Sequence, residues 1–164
     1  MMISTVHIAA FDGLADWEIG YVTAHLRNGE HQREPGRWQI RTVATTTDPI
    51  TTMGGLVVTP DLALADLRPE DSAMLVLPGG TQWEAGGGTE FVEAARRFIA
   101  AGTPVAAVCG ATFALAAAGL LYYRPHTSND PAYLAMSQYA GAEHYVAEPA
   151  VTDGDLITAS GVAP

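Results

Sequence analysis

The single cysteine, Cys109, is the residue of this chain best placed for covalent chemistry. It follows the apolar run Val105-Ala106-Ala107-Val108 and precedes Gly110-Ala111-Thr112. That order reads as a strand, one residue, then a helix of small side chains, the layout of a nucleophile elbow. A helix N-terminus lowers a thiol pKa from near 8.5 to about 3.5–7.5, so a neutral-pH thiolate is expected. A lone cysteine is otherwise a common core residue, and the strand-to-helix position argues against that role here. Glu18 is the second candidate. It is either a first-turn acid facing a helix dipole or a partly buried acid hydrogen-bonded to the thiol and moving its proton. Gly79 and Gly80, in Leu77-Pro78-Gly79-Gly80, form either a plain turn or a pair of N–H donors for an oxyanion. His126 stands out among five histidines because it follows the helix after the cysteine, where a base can return to the thiol. Asp16 and Trp17, beside Glu18, are candidate substrate contacts, although Asp16 also suits a cap or turn.

These residues need a scaffold that brings distant loops together. Val6–Phe11 reads as a short apolar strand, and helical spacing runs from Asp16 to Leu26. Trp38–Ala44 reads as a second strand, and Met53-Gly54-Gly55 with Leu56–Pro60 as a glycine turn with edge strands. The continuous apolar run Ser72–Leu77 marks a strand buried on both faces. Thr89–Ala101 is an amphipathic helix with Phe91, Ala94, Ala95 and Phe98 on one stripe, stopped by Gly102. Pro104–Val108 is another buried strand, Ala111–Ala118 a small-residue helix, and Leu156–Ser160 a further core strand. Strands alternating with helices require right-handed crossovers and a mostly parallel, helix-covered sheet. Ligands of such sheets sit outside the carboxyl ends of the strands, where the Glu18, Gly79 and Cys109 segments converge.

The 164 residues make one domain. Eight basic against eighteen acidic residues give a formal charge of −10, and all eight basic residues are arginine. Without lysine there is no Schiff-base chemistry and no P-loop. An acidic, lysine-free chain is poorly suited to nucleic acid or anionic lipid. One cysteine excludes an intrachain disulfide and a CxxC site, and no HExxH or similar metal spacing occurs, so neither metal nor cofactor is expected. The charge-free run Phe98–Tyr123 is interrupted by Gly102, Pro104, Gly110 and Gly119, so it reads as helix end, strand and helix rather than a membrane span. The N-terminus lacks the basic flank and apolar core of a signal peptide, so a cytoplasmic protein is expected. A parallel strand such as Leu156–Ser160 is usually followed by a helix, which Gly161–Pro164 does not supply; that sheet face is expected to lack its helix or to be covered by another chain.

Four motifs in order — Asp12-Gly13 with Asp16-Trp17-Glu18, Leu77-Pro78-Gly79-Gly80, Ala106-Ala107-Val108-Cys109-Gly110-Ala111-Thr112 with Ala118-Gly119-Leu120-Leu121, and His126-Thr127-Ser128-Asn129 — resemble the ThiJ/PfpI superfamily throughout the chain. The resemblance implies one class I glutamine amidotransferase-like domain over residues 1–164, a flavodoxin-like three-layer α/β sandwich, usually homodimeric. It implies Cys109 as nucleophile, Glu18 as its protonated carboxyl partner and His126 as third member, with Gly80 and Gly110 as oxyanion donors. The expected activity is a cofactor-independent attack on a small carbonyl or amide substrate, of glyoxalase, deglycase or amidohydrolase type. A redox or stress sensor, or holdase, using oxidation of Cys109 is the alternative. The PfpI-type protease reading is weakened by Gly110, where those proteases carry histidine.

Overall fold

The computed structural model describes residues 4–162. A seven-stranded sheet is built from β1 (Ser4–Ala9), β2 (Trp38–Ala44), β5 (Leu62–Ala63), β6 (Met74–Leu77), β7 (Val105–Val108), β8 (Ala150–Asp153) and β9 (Leu156–Ala159). Their spatial order is β5-β2-β1-β6-β7-β9-β8, parallel except for the antiparallel β8–β9 pair. A separate hairpin joins β3 (Ile50–Thr51) to β4 (Val57–Val58). The helices are α1 (Asp16–Asn28), α2 (Thr89–Ala100), α3 (Gly110–Ala117) and the short α4 (Pro131–Ala135).

Local chemistry explains these elements. Leu75, Val76 and Leu77 are all buried because β6 is central, with β1 and β7 on either side. In α2 the stripe Phe91, Ala94, Ala95, Phe98 is buried on the sheet, as its spacing predicts. Packing of this kind is worth about 3–5 kcal/mol per Phe→Ala truncation. On the opposite sheet face Val6, Ile8 and Val76 pack with half-buried Ile19, Val22 and Leu26 of α1. Thus helices lie on both faces, and the expected three-layer α/β architecture is observed. Sequence periodicity did not bring out β5, α4 or β8: the first two are very short, and β8 is an edge strand whose residues are only exposed or half-buried.

Chain order around the sheet reverses between β1 and β6, one leading to β2 and the other to β7. This switch point opens a crevice at the carboxyl ends of β1 and β6, with β7 beside it. Glu18 follows β1, Gly79 ends β6, and Cys109 ends β7. Among the described residues no helix is long and apolar enough to cross a membrane.

Candidate active site

Cys109 joins β7 to α3 with φ 54° and ψ −121°. A non-glycine residue in that region costs about 1–3 kcal/mol and persists only where its surroundings hold it. Here they do. The Cys109 N–H donates to Ala159 O at 3.0 Å, and Cys109 O accepts from Thr112 N at 3.0 Å and Thr112 Oγ1 at 2.5 Å. Thr112 Oγ1 in turn meets Ser128 Oγ at 2.6 Å. Beneath the elbow lies Trp83, whose indole N–H donates to Pro78 O at 2.9 Å; a Cβ on Gly110 would fall 2.8 Å from its ring. Trp83 is buried and supports the elbow from below.

Glu18 lies against the cysteine. Its Oε2 accepts from the Gly79 N–H, while Oε1 is buried without another hydrogen-bonding partner and faces the Cys109 side chain. A Cβ at Gly79 would lie 2.6 Å from Glu18 Oε1 and 2.8 Å from Cys109 Cβ, and a Cβ at Gly161 would lie 2.9 Å from Sγ. The two glycines therefore let acid and thiol meet. Because its N–H is committed to Glu18, Gly79 is not available as the oxyanion donor expected of it. The Gly110 N–H, which opens α3, has no acceptor within its own helix and remains a candidate donor, together with Gly80.

The third polar group at the thiol is Asn129, not His126. Asn129 Nδ2 donates to Cys109 Sγ at 3.0 Å, and its Oδ1 accepts from Gly161 N at 2.9 Å. The indole N–H of Trp17 donates to Gly161 O at 2.9 Å, closing a chain of contacts from α1 to the thiol. His126 is fully buried with both ring nitrogens engaged, Nδ1 with Arg124 O at 2.7 Å and Nε2 with Tyr139 Oη at 2.9 Å. Desolvation holds its pKa below the ordinary histidine value. The connection after α3 turns the His126 ring toward Tyr139 and Tyr145, and carries Asn129 three residues further to the sulfur. Asp16 is likewise occupied elsewhere. Its carboxylate accepts from Thr52 Oγ1 at 2.5 Å and Gly54 N at 2.6 Å, so it anchors the β3–β4 hairpin from the first residue of α1 and neither caps the helix nor sits in a turn.

Electrostatics also differ from the elbow expectation. Burial pushes the Cys109 thiol up, Asn129 opposes this, the neighbouring Glu18 charge adds to it, and the Gly110 N–H opposes it. Burial raises Glu18 too, against the Gly79 N–H and the thiol. The helix N-terminus is thus outweighed by desolvation and a like charge. Each group acts on the other: Glu18 pushes the thiol up, and the thiol's hydrogen bond pulls Glu18 down.

Gly161 and Asn129 carried weak sequence signals. Gly161 is a glycine directly after a core strand, and Asn129 sits within the polar run His126-Thr127-Ser128-Asn129. Neither periodicity nor spacing shows what such a residue touches. Among the described residues, no group of three or more His, Cys, Asp or Glu side chains could hold a metal ion.

A doubly wound α/β domain with a strained cysteine elbow beside a buried acid is the class these features define. Comparison with known proteins places it further. The DJ-1/PfpI family matches residues 4–163, and this chain belongs to that family. The uncharacterized protease YoaZ of Bacillus subtilis is 36% identical over 167 residues, covering 100% of this chain and 80% of that protein. The uncharacterized protease YdeA of the same organism is 35% identical, covering 93% and 74%. Among solved structures, a thiJ/pfpI family protein from Bacillus anthracis superposes with a TM-score of 0.88 at 39% identity, covering 100% of this chain and 80% of that one. A DJ-1 superfamily protein from Agrobacterium tumefaciens gives 0.85 at 36%, covering 99% and 84%.

Proposed function

We propose that this chain is a cofactor-independent cysteine enzyme acting on a small carbonyl or amide, with Cys109 as nucleophile and Glu18 as its proton-transfer partner. The observation that carries the reading is the positive-φ elbow of Cys109 packed against the unpartnered Glu18 Oε1. With an aldehyde such as that of methylglyoxal, the sulfur bonds to the carbonyl carbon and the carbonyl electron pair moves onto oxygen. The thiol proton passes to Glu18. Oxyanion charge is met by the Gly80 and Gly110 N–H groups. Glu18 returns the thiol's proton to that oxygen, giving a hemithioacetal and regenerating its carboxylate. The carboxylate takes the proton from the former aldehyde carbon and delivers it to the neighbouring carbon, while the hydroxyl proton passes to the neighbouring ketone oxygen. The resulting thioester is hydrolysed by water to the hydroxyacid, releasing the thiol. With an amide or a glycated adduct, the same addition ends in loss of the amine. Asn129 holds the sulfur and favours its anionic form. A cytoplasmic homodimer belongs to the same reading; exposed Trp17, Tyr21, Met53, Leu56 and Val57 supply apolar surface for an interface.

The test is turnover of methylglyoxal and of a peptide-amide substrate by wild type, Cys109→Ser and Glu18→Ala. Loss of turnover by at least a hundredfold in both variants is expected, and unchanged rates would overturn the reading. Cys109 is only partly buried, which suits the redox-sensing alternative. Stoichiometric sulfinate after mild peroxide, without carbonyl or amide turnover, would favour that alternative.

A further inference from the structure

An asparagine can meet a sulfur with either end of its amide, and the two ends act oppositely: the NH₂ donates to a thiolate, whereas the carbonyl oxygen repels it. Asn129 presents Nδ2 to Cys109 Sγ at 3.0 Å. The choice is fixed at the other end of the amide. There Oδ1 accepts from the Gly161 N–H at 2.9 Å, and a backbone N–H can only donate. A reversed amide would set donor against donor at Gly161 and oxygen against sulfur at Cys109. Ser160 Oγ lies 3.4 Å from the same Oδ1, at the limit of a hydrogen bond, and its single proton goes to the nearer Val162 O. The Gly161 N–H is therefore the group that orients Asn129.

Gly161 has few restraints of its own. Strand β9 ends at Ala159, so Gly161 lies beyond the last paired residue of the sheet, and glycine is the residue type with the widest backbone freedom. A larger residue is excluded, because a Cβ there would run into Cys109 Cβ and Glu18 Oε1. The chain just before it is fixed by Ser160 N–H donating to Pro149 O at 3.0 Å. The Gly161 carbonyl accepts from the Trp17 indole N–H at 2.9 Å, and among the described residues no second donor reaches that oxygen. Trp17 stands in the first turn of α1, and its side chain is 52% exposed, so packing alone holds it weakly. Its one polar atom is nevertheless spent on a backbone oxygen 144 positions away.

We infer that Trp17 is a positioning residue of the site: its indole N–H holds the Gly161 backbone, the Gly161 N–H sets the amide of Asn129, and Nδ2 is thereby kept on Cys109 Sγ. Trp17 acts on the sulfur through these two intermediates and makes no hydrogen bond to it. The ionisable groups around the thiol are Glu18 of α1, which adjoins it, and Tyr133 of α4, whose hydroxyl stays protonated because burial and the Glu84 carboxylate raise its pKa. Neither is a partner of the Trp17 indole, so loss of that N–H reaches the thiol by way of Asn129. The inference rests on the reading of Cys109 as the reactive nucleophile and adds the residue that holds its anion-favouring donor in place.

Because Cys109 is the sole cysteine, the rate of iodoacetamide alkylation against pH reports its ionisation alone. The full chain is compared with Trp17→Phe, which keeps an aromatic ring and removes the N–H, with Asn129→Ala, and with the double variant. Asn129→Ala is expected to move the profile up by about one pH unit, and Trp17→Phe by roughly half a unit, which slows alkylation about threefold below the thiol pKa. The double variant should match Asn129→Ala, since the indole acts only through the amide. A Trp17→Phe profile coincident with wild type, or shifts that add in the double variant, overturn the inference. Reciprocity supplies a readout that needs no Trp17 variant: if the indole steadies Asn129, Asn129 steadies the indole. Solvent exchange of the Trp17 indole proton, followed by NMR, should quicken severalfold in Asn129→Ala, and an unchanged rate also overturns the inference. In turnover, Trp17→Phe should lower kcat about threefold and leave KM unchanged, whereas a raised KM alone would mark a substrate contact and overturn the positioning role. Alkylation does not depend on turnover, so absence of turnover would refute the proposed enzyme reading while leaving the relay from Trp17 measurable.

Discussion

Replacing Gly79 by alanine tests whether the contact between Glu18 and Cys109 makes the site. The added methyl would lie 2.6 Å from Glu18 Oε1, 2.8 Å from Oε2 and 2.8 Å from Cys109 Cβ. Ordinary contacts between such atoms are about 3.5 Å, so three atoms must give way together. Gly79 is buried at the end of a central strand, and its carbonyl is bonded to Ala15 N at 3.0 Å, so its backbone has little room to move. Overpacking of this kind costs about 1–3 kcal/mol. If Glu18 retreats, its charge-assisted bond from Gly79 N–H is strained or lost, which adds about 1.5–3 kcal/mol. At about 2–4 °C per kcal/mol for a domain of this size, the melting temperature should fall by roughly 5–25 °C. A displacement of about 1 Å at a reacting group costs on the order of a hundredfold in rate. The assays are thermal unfolding and turnover, with iodoacetamide labelling of Cys109 as a readout independent of substrate. Gly20→Ala is the control: nothing lies within 4 Å of a Cβ there, and α1 should gain about 0.5–1 kcal/mol. A folded Gly79→Ala protein with wild-type melting, labelling and turnover would refute the packing argument.

Further substitutions separate the roles of the neighbours. In Glu18→Gln the like charge beside the sulfur is gone, so the pH profile of Cys109 alkylation should move to lower pH while turnover falls by about 10²–10⁴-fold; parallel losses in both would contradict the assigned role. Asn129→Ala removes a donor that favours the anion, and alkylation should shift to higher pH. His7 and His126 are buried, and desolvation depresses both pKa values. The unfolded chain therefore binds more protons below about pH 6.5, and stability should decline as pH falls from there through the depressed folded values. Glu18, raised by burial, contributes with the opposite sign, so the comparison is the pH slope of urea unfolding in wild type against His126→Gln, which should be shallower.

The DJ-1/PfpI relationship and the α/β fold were legible in residue order. Apolar runs at β6 and β7, the α2 stripe and glycines after the strands are local consequences of burial on one or two faces, and local patterns survive in one dimension. Cys109 was legible for the same reason, since strand, single residue and small-residue helix are adjacent in the chain. Glu18 carried two readings until the fold packed it on the cysteine. Which polar groups complete the site was decided in three dimensions. His126 and Asn129 are three residues apart, and only the path after α3 determines that one ring is consumed by Arg124 O and Tyr139 while the other side chain reaches the sulfur. Gly79 has the composition of an oxyanion loop, but the position of Glu18 decides what its N–H bonds. The thiol's acidity followed the same rule. A helix N-terminus can be read from residue order, whereas desolvation and the charge of a residue 91 positions away (109 − 18) exist only once the chain has folded.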